Sequence, residues 1–185
     1  MASIKGILET ELKDLKEEFV AVIIANSDNY LEARDVILQL TGKEKTIYVS
    51  ANRTFKDLSK EFKKKGLNEG NFFFIDLLSS ESGITKTEES NVLLLESPSE
   101  LTELGIDLSD LMEKQMKSFF LDGLSTLTLY NSNDSVGRFV HYLSAKIRSH
   151  EMKCFILTVD DENVNELTEL VTQFSDKVIF LNKQS

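Results

Sequence analysis

Runs of residues that are apolar on both faces alternate along this chain with longer segments whose apolar positions recur every three or four residues. The runs are FVAVIIA (Phe19–Ala25), KTIYVS (Lys45–Ser50), NFFFIDLL (Asn71–Leu78), NVLLLE (Asn91–Glu96), SFFLDGL (Ser118–Leu124), KCFILTV (Lys153–Val159) and KVIFLN (Lys177–Asn182). Strands with no polar face belong to parallel sheets covered on both sides, and helical segments between them supply the crossovers. The pattern predicts a three-layer α/β fold with a mainly parallel sheet of about seven strands.

Helical period predicts a leading amphipathic helix over Ile4 to Glu18 within residues 1–18, then helices through Leu40, over Phe55–Lys65, within Ser99–Gln115, over Asp134–Ser149 and over Glu162–Phe174. Residues 19–185 read as a single α/β domain, with no repeat or linker. Ser79–Ser90 is the one connection long and polar enough to be mobile. Ser97-Pro98-Ser99-Glu100 has a cap-and-proline helix start, and Thr54 with Asp57 is a weaker capping box. Asn29 and Glu32 have capping-box spacing, so Glu32 is expected to fold back on its own helix. The leading segment is expected to pack on its own sheet; docking to another chain is the alternative.

Charge and chemistry narrow the picture. The formal net charge is −10, which disfavours nucleic acid. Lys63-Lys64-Lys65 ends a helix, where cations offset the dipole. The single cysteine, Cys154, sits in an apolar run and fits a buried hydrophobe in a reducing compartment. No run is long enough for a membrane span and the amino terminus is unlike a signal peptide, so a cytoplasmic protein is expected. His141 and His150 have no motif partners, zinc and serine-hydrolase motifs are absent, and Phe72-Phe73-Phe74 reads as core.

In parallel sheets ligands bind beyond the carboxyl ends of the strands. There, NVLLLESPSELTELGIDLSDLM and KSFFLDGLSTLTLYNSNDSVGRFVHYLSAKIRSHEMKCFILTVD resemble the second half of RecA/KaiC-like ATPase domains, especially archaeal KaiC-like proteins. The first half agrees in layout: TIYVSANRTFKDLSKEFKKKGLN resembles the second strand and the helix after it. The resemblance implies a RecA-like P-loop NTPase fold. Aligned position by position, its phosphate loop G-x-x-G-x-G-K-[ST] falls on Asn26, Ser27, Asp28, Asn29, Tyr30, Leu31, Glu32 and Ala33, and no diagnostic position is kept. Glu32 takes the lysine position and Ala33 that of the magnesium-binding hydroxyl. The catalytic glutamate falls near Ala51-Asn52, where no carboxylate stands. Asp122 alone matches, as a Walker B-like aspartate, although a strand-end aspartate also caps turns.

A carboxylate about 4 Å from a phosphate charge costs roughly 1 to 4 kcal/mol, and the glycine amides and lysine that would offset it are missing. The expectation is therefore a non-catalytic RecA/KaiC-like domain that acts as a protein-interaction or signalling scaffold. It would have no catalytic residue, metal or cofactor, and would be a monomer or homodimer, because nucleotide-bridged rings lose part of their interface. The alternative is a nucleotide sensor or weak ATPase with ATP and magnesium. It would use Asp122 with Glu96 and Asp160 for the metal, and Arg34 or Arg53 in place of the lysine. Arg34, two residues past that position, is expected to point off the phosphate side. Asp160 or Asp161 is otherwise expected to cap the following helix.

Overall fold

The structure is a computed structural model and describes residues 3–161 and 165–181. The strands are β1 (Phe19–Ala25), β2 (Thr46–Ser50), β3 (Phe72–Asp76), β4 (Val92–Leu94), β5 (Ser118–Asp122), β6 (Lys153–Val159) and β7 (Lys177–Leu181). The helices are α1 (Ile4–Leu12), α2 (Ser27–Thr41), α3 (Phe55–Lys65), α4 (Leu101–Met112), α5 (Leu124–Leu127), α6 (Asn133–Ser149) and α7 (Asn165–Thr172). The sheet order is β4-β3-β2-β5-β6-β1-β7. Every pairing in it is parallel.

Period-two alternation divides the core. Phe19, Ala21 and Ile23 of β1 face one side with Tyr48, Phe74 and Phe120, under Leu8 of α1, Ile37 of α2 and Phe62 of α3. Val20, Val22 and Ile24 face the other, under Leu104 and Leu108 of α4, Val140 and Leu143 of α6 and Val171 of α7. Connections that run toward β4 use the first face and those that return toward β7 use the second, as a uniform crossover hand requires.

One consequence places the site. The chain leaves β2 toward β3 on one side and leaves β5 toward β6 on the other. The two loops diverge and open a crevice over the carboxyl ends Ser50 and Asp122, which are register partners.

Three expectations change. The leading helix stops at Leu12, not Glu18, and Leu15 packs on the core from the turn that follows. Ile4 and Leu8 are buried in the fold's own core, so α1 packs on its own domain, as the sequence led us to expect. The Ser97-Pro98 device does not start α4: Ser97 Oγ accepts from Ser99 N at 3.2 Å, and the helix begins at Leu101 after Glu100, which makes no side-chain cap. A serine satisfied by a two-residue turn no longer nucleates the helix. The stretch Ser79–Ser90 is not all loose loop, because Ser79–Ser82 forms a 3-10 turn closed by Gly83 at φ 80°. The Thr54 cap holds, with its hydroxyl accepting from Asp57 N. The capping of α7 by Asp160 or Asp161 and the reach of β7 to Asn182 depend on residues outside those described.

The anchor of that 3-10 turn is Asp76, buried at the end of β3. Its carboxylate accepts from Leu78 N at 2.8 Å, Ser79 N at 2.9 Å, Ser79 Oγ at 2.5 Å and, across the edge, Phe55 N at 2.5 Å. It thereby ties the start of α3 to the turn after β3. Leaving a buried donor unpaired costs about 1–3 kcal/mol. Asp76→Ala should therefore lower stability by about 3 kcal/mol or more in urea unfolding, and a loss below about 1 kcal/mol would contradict this role.

Candidate functional site

The crevice is organised around Asp122, which has no exposed surface. Tyr48 of β2 pairs in register with Phe120 of β5. Their rings stack at 5.1 Å between centroids and 8° between planes. Side chains two apart on a strand share a face, so the Tyr48 hydroxyl meets the next inward side chain, Asp122, and donates to Oδ2 at 2.7 Å. From the first turn of α2, the Tyr30 hydroxyl donates to Oδ1, also at 2.7 Å. Asn52 Nδ2 donates to the Tyr30 hydroxyl at 2.9 Å and reaches Oδ1 at 3.5 Å. The Asn52 carbonyl in turn accepts from Thr126 Oγ1 at 2.5 Å. Gly123, at φ 100°, is required here: a Cβ would lie 2.6 Å from Asn52 Nδ2.

Asp122 is thus not a turn cap, as its strand-end position had suggested. Both of its oxygens are held by phenols. Burial first, and the charge and hydrogen bond of Asp122 second, push the Tyr30 pKa far above the ordinary tyrosine value. The same causes raise Tyr48.

Asn26, not Asn29, caps α2: its side chain accepts from Asn29 N at 3.0 Å. The helix begins at Ser27, so Glu32 lies past the first turn, is exposed and cannot fold back as a cap. Asn29 instead donates from Nδ2 to the Leu181 carbonyl at 2.7 Å. Ala33 is buried in the core. Ser27 borders the crevice, and Asp28, exposed, is the acidic residue of the first turn.

Arg34 also differs from expectation. It lies one turn beyond Tyr30, so it shares Tyr30's face and lines the crevice while only 2% exposed. It is bound to Glu61 of α3 and lies 3.5 Å from Asp35. Glu61 also meets Lys65 at 2.6 Å and Arg53 at 3.7 Å. Burial opposes the charge of Arg34, but Tyr48, Asp122, Glu61 and Asp35 together raise its pKa. Burial also disfavours the charge of Glu61, yet Lys65, Arg34 and Arg53 hold its pKa below the ordinary value. Three cations, Arg34, Arg53 and Lys65, therefore stand among three carboxylates, Asp122, Glu61 and Asp35, and the local charges balance. The open part of the crevice measures ≈ 360 Å³.

Glu96 and Asp160 do not join Asp122: among the described residues no cluster of three or more His, Cys, Asp or Glu side chains is placed to hold a metal. Cys154 is fully buried, and burial raises its thiol pKa. His141 lies on the surface against Phe174, 4.6 Å between ring centroids. The sequence put Tyr30 in the phosphate-loop alignment and Asn52 at the catalytic-glutamate position but gave neither a bond to Asp122, and Tyr48 was not singled out at all. For the two tyrosines the signal was that they stood where small residues or core aliphatics would serve.

A family model described as "Family of unknown function (DUF7504)" matches residues 25–178. No curated protein matches the chain. Among solved structures it is similar to a KaiC-like protein from the hyperthermophilic archaeon Pyrococcus horikoshii OT3. The two superpose with a TM-score of 0.62 at 9% identity, over 89% of this chain and 71% of that one. At that identity the likeness concerns the fold: a three-layer α/β domain with a parallel seven-stranded sheet. Among the described residues no helix is long and apolar enough to cross a membrane.

Tyr48→Phe leaves Asp122 Oδ2 buried without a partner and should cost about 1–3 kcal/mol. Tyr30→Phe, nearer the surface, should cost less. In an Asp122→Ala background the Tyr48→Phe penalty should shrink to a few tenths of a kcal/mol, because the carboxylate it served is gone. Chemical denaturation of the four variants measures this coupling, and additive losses would contradict it.

Proposed function

The chain belongs to the DUF7504 family of unknown function, and for it we propose a non-catalytic role: a RecA/KaiC-like domain that serves as a protein-interaction or regulatory scaffold. Its phosphate-loop positions Asn26, Ser27, Asp28, Asn29, Glu32 and Ala33 and its Walker B-like Asp122 are the remains of a nucleotide site. The observation that carries the reading is the pair of phenols on Asp122, each at 2.7 Å. Each oxygen already accepts from a phenol of its own domain and Asp122 has no exposed surface, so a metal ion would have to displace those hydroxyls to reach it. Tyr30 meanwhile brings a ring to a position where the phosphate loop needs an open backbone. The residues present do not fit magnesium and a nucleotide triphosphate, so no chemical step is assigned. A reducing, cytoplasmic setting belongs to the same proposal and is supported by the lone buried Cys154; a monomer or homodimer belongs to it as well.

A second reading has one observation in its favour. Arg34 and Arg53 both border the crevice, which is what a rewired anion or nucleotide sensor would need. Their shared partner Glu61 weighs against it, since an anion would have to displace that carboxylate.

Titration calorimetry with ATP, ADP and GTP plus magnesium, up to millimolar concentration, separates the two. The scaffold reading expects no heat and no thermal stabilisation. Binding tighter than about 100 μM, more than roughly 5 kcal/mol of affinity, would overturn it, and loss of that binding in Asp122→Ala would establish a sensor.

A further inference from the structure

A larger groove, ≈ 860 Å³, lies away from the strand ends, between α4 and α6. Its floor exists because of a glycine. Gly105 sits in mid-helix, where glycine costs about 1 kcal/mol relative to alanine. A Cβ there would stand 3.2 Å from the Tyr142 ring of α6. Without it the ring lies down against α4, and its hydroxyl meets Ser109 Oγ at 2.6 Å. Phe139 closes the base, and Leu101 and Ile106 form the α4 wall. Ile106 is 60% exposed and Tyr142 41%, so the groove presents apolar surface to water.

The charge around it has one sign on one side. From Leu93 to Glu113 there are six acidic residues (Glu96, Glu100, Glu103, Asp107, Asp110 and Glu113) and no basic one. Glu100 and Glu103 line the groove itself. They are close enough to strain one another: a hydrogen bond with Glu103 first, and the neighbouring charges of Glu103 and Glu96, hold Glu100 above its ordinary pKa. Burial, then Glu103 and Asp110, raise Asp107. Arg138 on the α6 wall is neutralised by Asp134 one turn earlier.

We propose that the α4–α6 groove is the docking site for a basic amphipathic helix of a partner protein. Its apolar face would cover Ile106, Leu101 and Tyr142, and its lysines or arginines would lie along Glu100, Glu103 and Asp107. An exposed apolar seam beside a flank of uncompensated carboxylates matches a helix with apolar anchors at three- and four-residue spacing and a cationic edge. α4 has 12 residues, about 18 Å at 1.5 Å per residue, which accommodates roughly three turns of such a helix. The proposal rests on the scaffold reading above and gives that scaffold its contact face.

The test uses a fluorescein-labelled amphipathic leucine/lysine helical peptide of about 14 residues and the full chain, read by fluorescence anisotropy. Ile106→Glu is the decisive variant because it removes an apolar anchor while adding negative charge. A docked helix loses one buried isoleucine, so binding should weaken about tenfold or more. Charge attraction alone would strengthen it. Glu100→Lys/Glu103→Lys should abolish binding, whereas Asp14→Lys/Glu17→Lys, with the same change in net charge, should leave it within about twofold. Thermal melts establish that each variant is folded. Equal or tighter binding by Ile106→Glu, or equal loss in the two double variants, overturns the proposal. So does self-association of the chain that Ile106→Glu abolishes, since the occupant would then be a second copy. Should nucleotide bind while the peptide still docks at this groove, the groove stands and the non-catalytic reading falls. A groove that fails beside a null nucleotide titration leaves that reading intact.

Discussion

A carboxylate with no exposed surface at the end of a central strand dictates the rest of this edge. Burying the charge of Asp122 without partners would cost several kcal/mol, so each element around it contributes a donor or a constraint. β2 supplies Tyr48, α2 supplies Tyr30, the turn after β2 supplies Asn52, and Gly123 leaves the space that Asn52 needs. Arg34 lies one turn behind and is fixed in place by Glu61. The knot therefore joins α2 and α3 to the sheet at the crevice, where a parallel α/β domain is usually open.

This arrangement separates the two halves of the proposed role. At the strand-end crevice Asp122 and Glu61 are already engaged by groups of the same domain, which on the proposed reading leaves little for a ligand to bind. The α4–α6 groove lies on the opposite face of the sheet, is apolar at its floor and carries unbalanced charge on one wall. A scaffold of this kind would be rigid at the former site and receptive elsewhere.

Much of the fold was legible in the sequence. β1, β6 and α3 carry the predicted bounds, because double-faced apolar runs and a glycine after Lys65 leave few alternatives. Helix starts were less legible: Asn26 and Asn29 are equally good caps as letters, and only the distance from β1 to the helix selects Asn26. The Ser97 device failed for a different reason, since a local turn satisfied it first. For the site, sequence placed Asp122 at the correct edge but not its partners. Tyr48 reaches it through a strand register, Tyr48↔Phe120, that no local pattern encodes. Arg34 was misplaced because its direction was counted from the lysine position, and Tyr30, one turn before it, is the residue that sets the face.

The central claim is that Asp122 is sealed by two phenols rather than open to a ligand, and the phenols report on this directly. Tyrosine labelled with ¹³C at Cζ can be followed by NMR as the pH is raised from neutrality. An unperturbed tyrosine ionises near pH 10. Tyr30 and Tyr48 are raised above that value in the folded chain. The unfolded chain gives up these protons first, so stability is whole below about pH 10 and declines above it. The account predicts that both signals stay at the phenol position through pH 10 and change only as the protein unfolds. Ionisation of either tyrosine near pH 10 in the folded protein would mean that water reaches Asp122, and would contradict it.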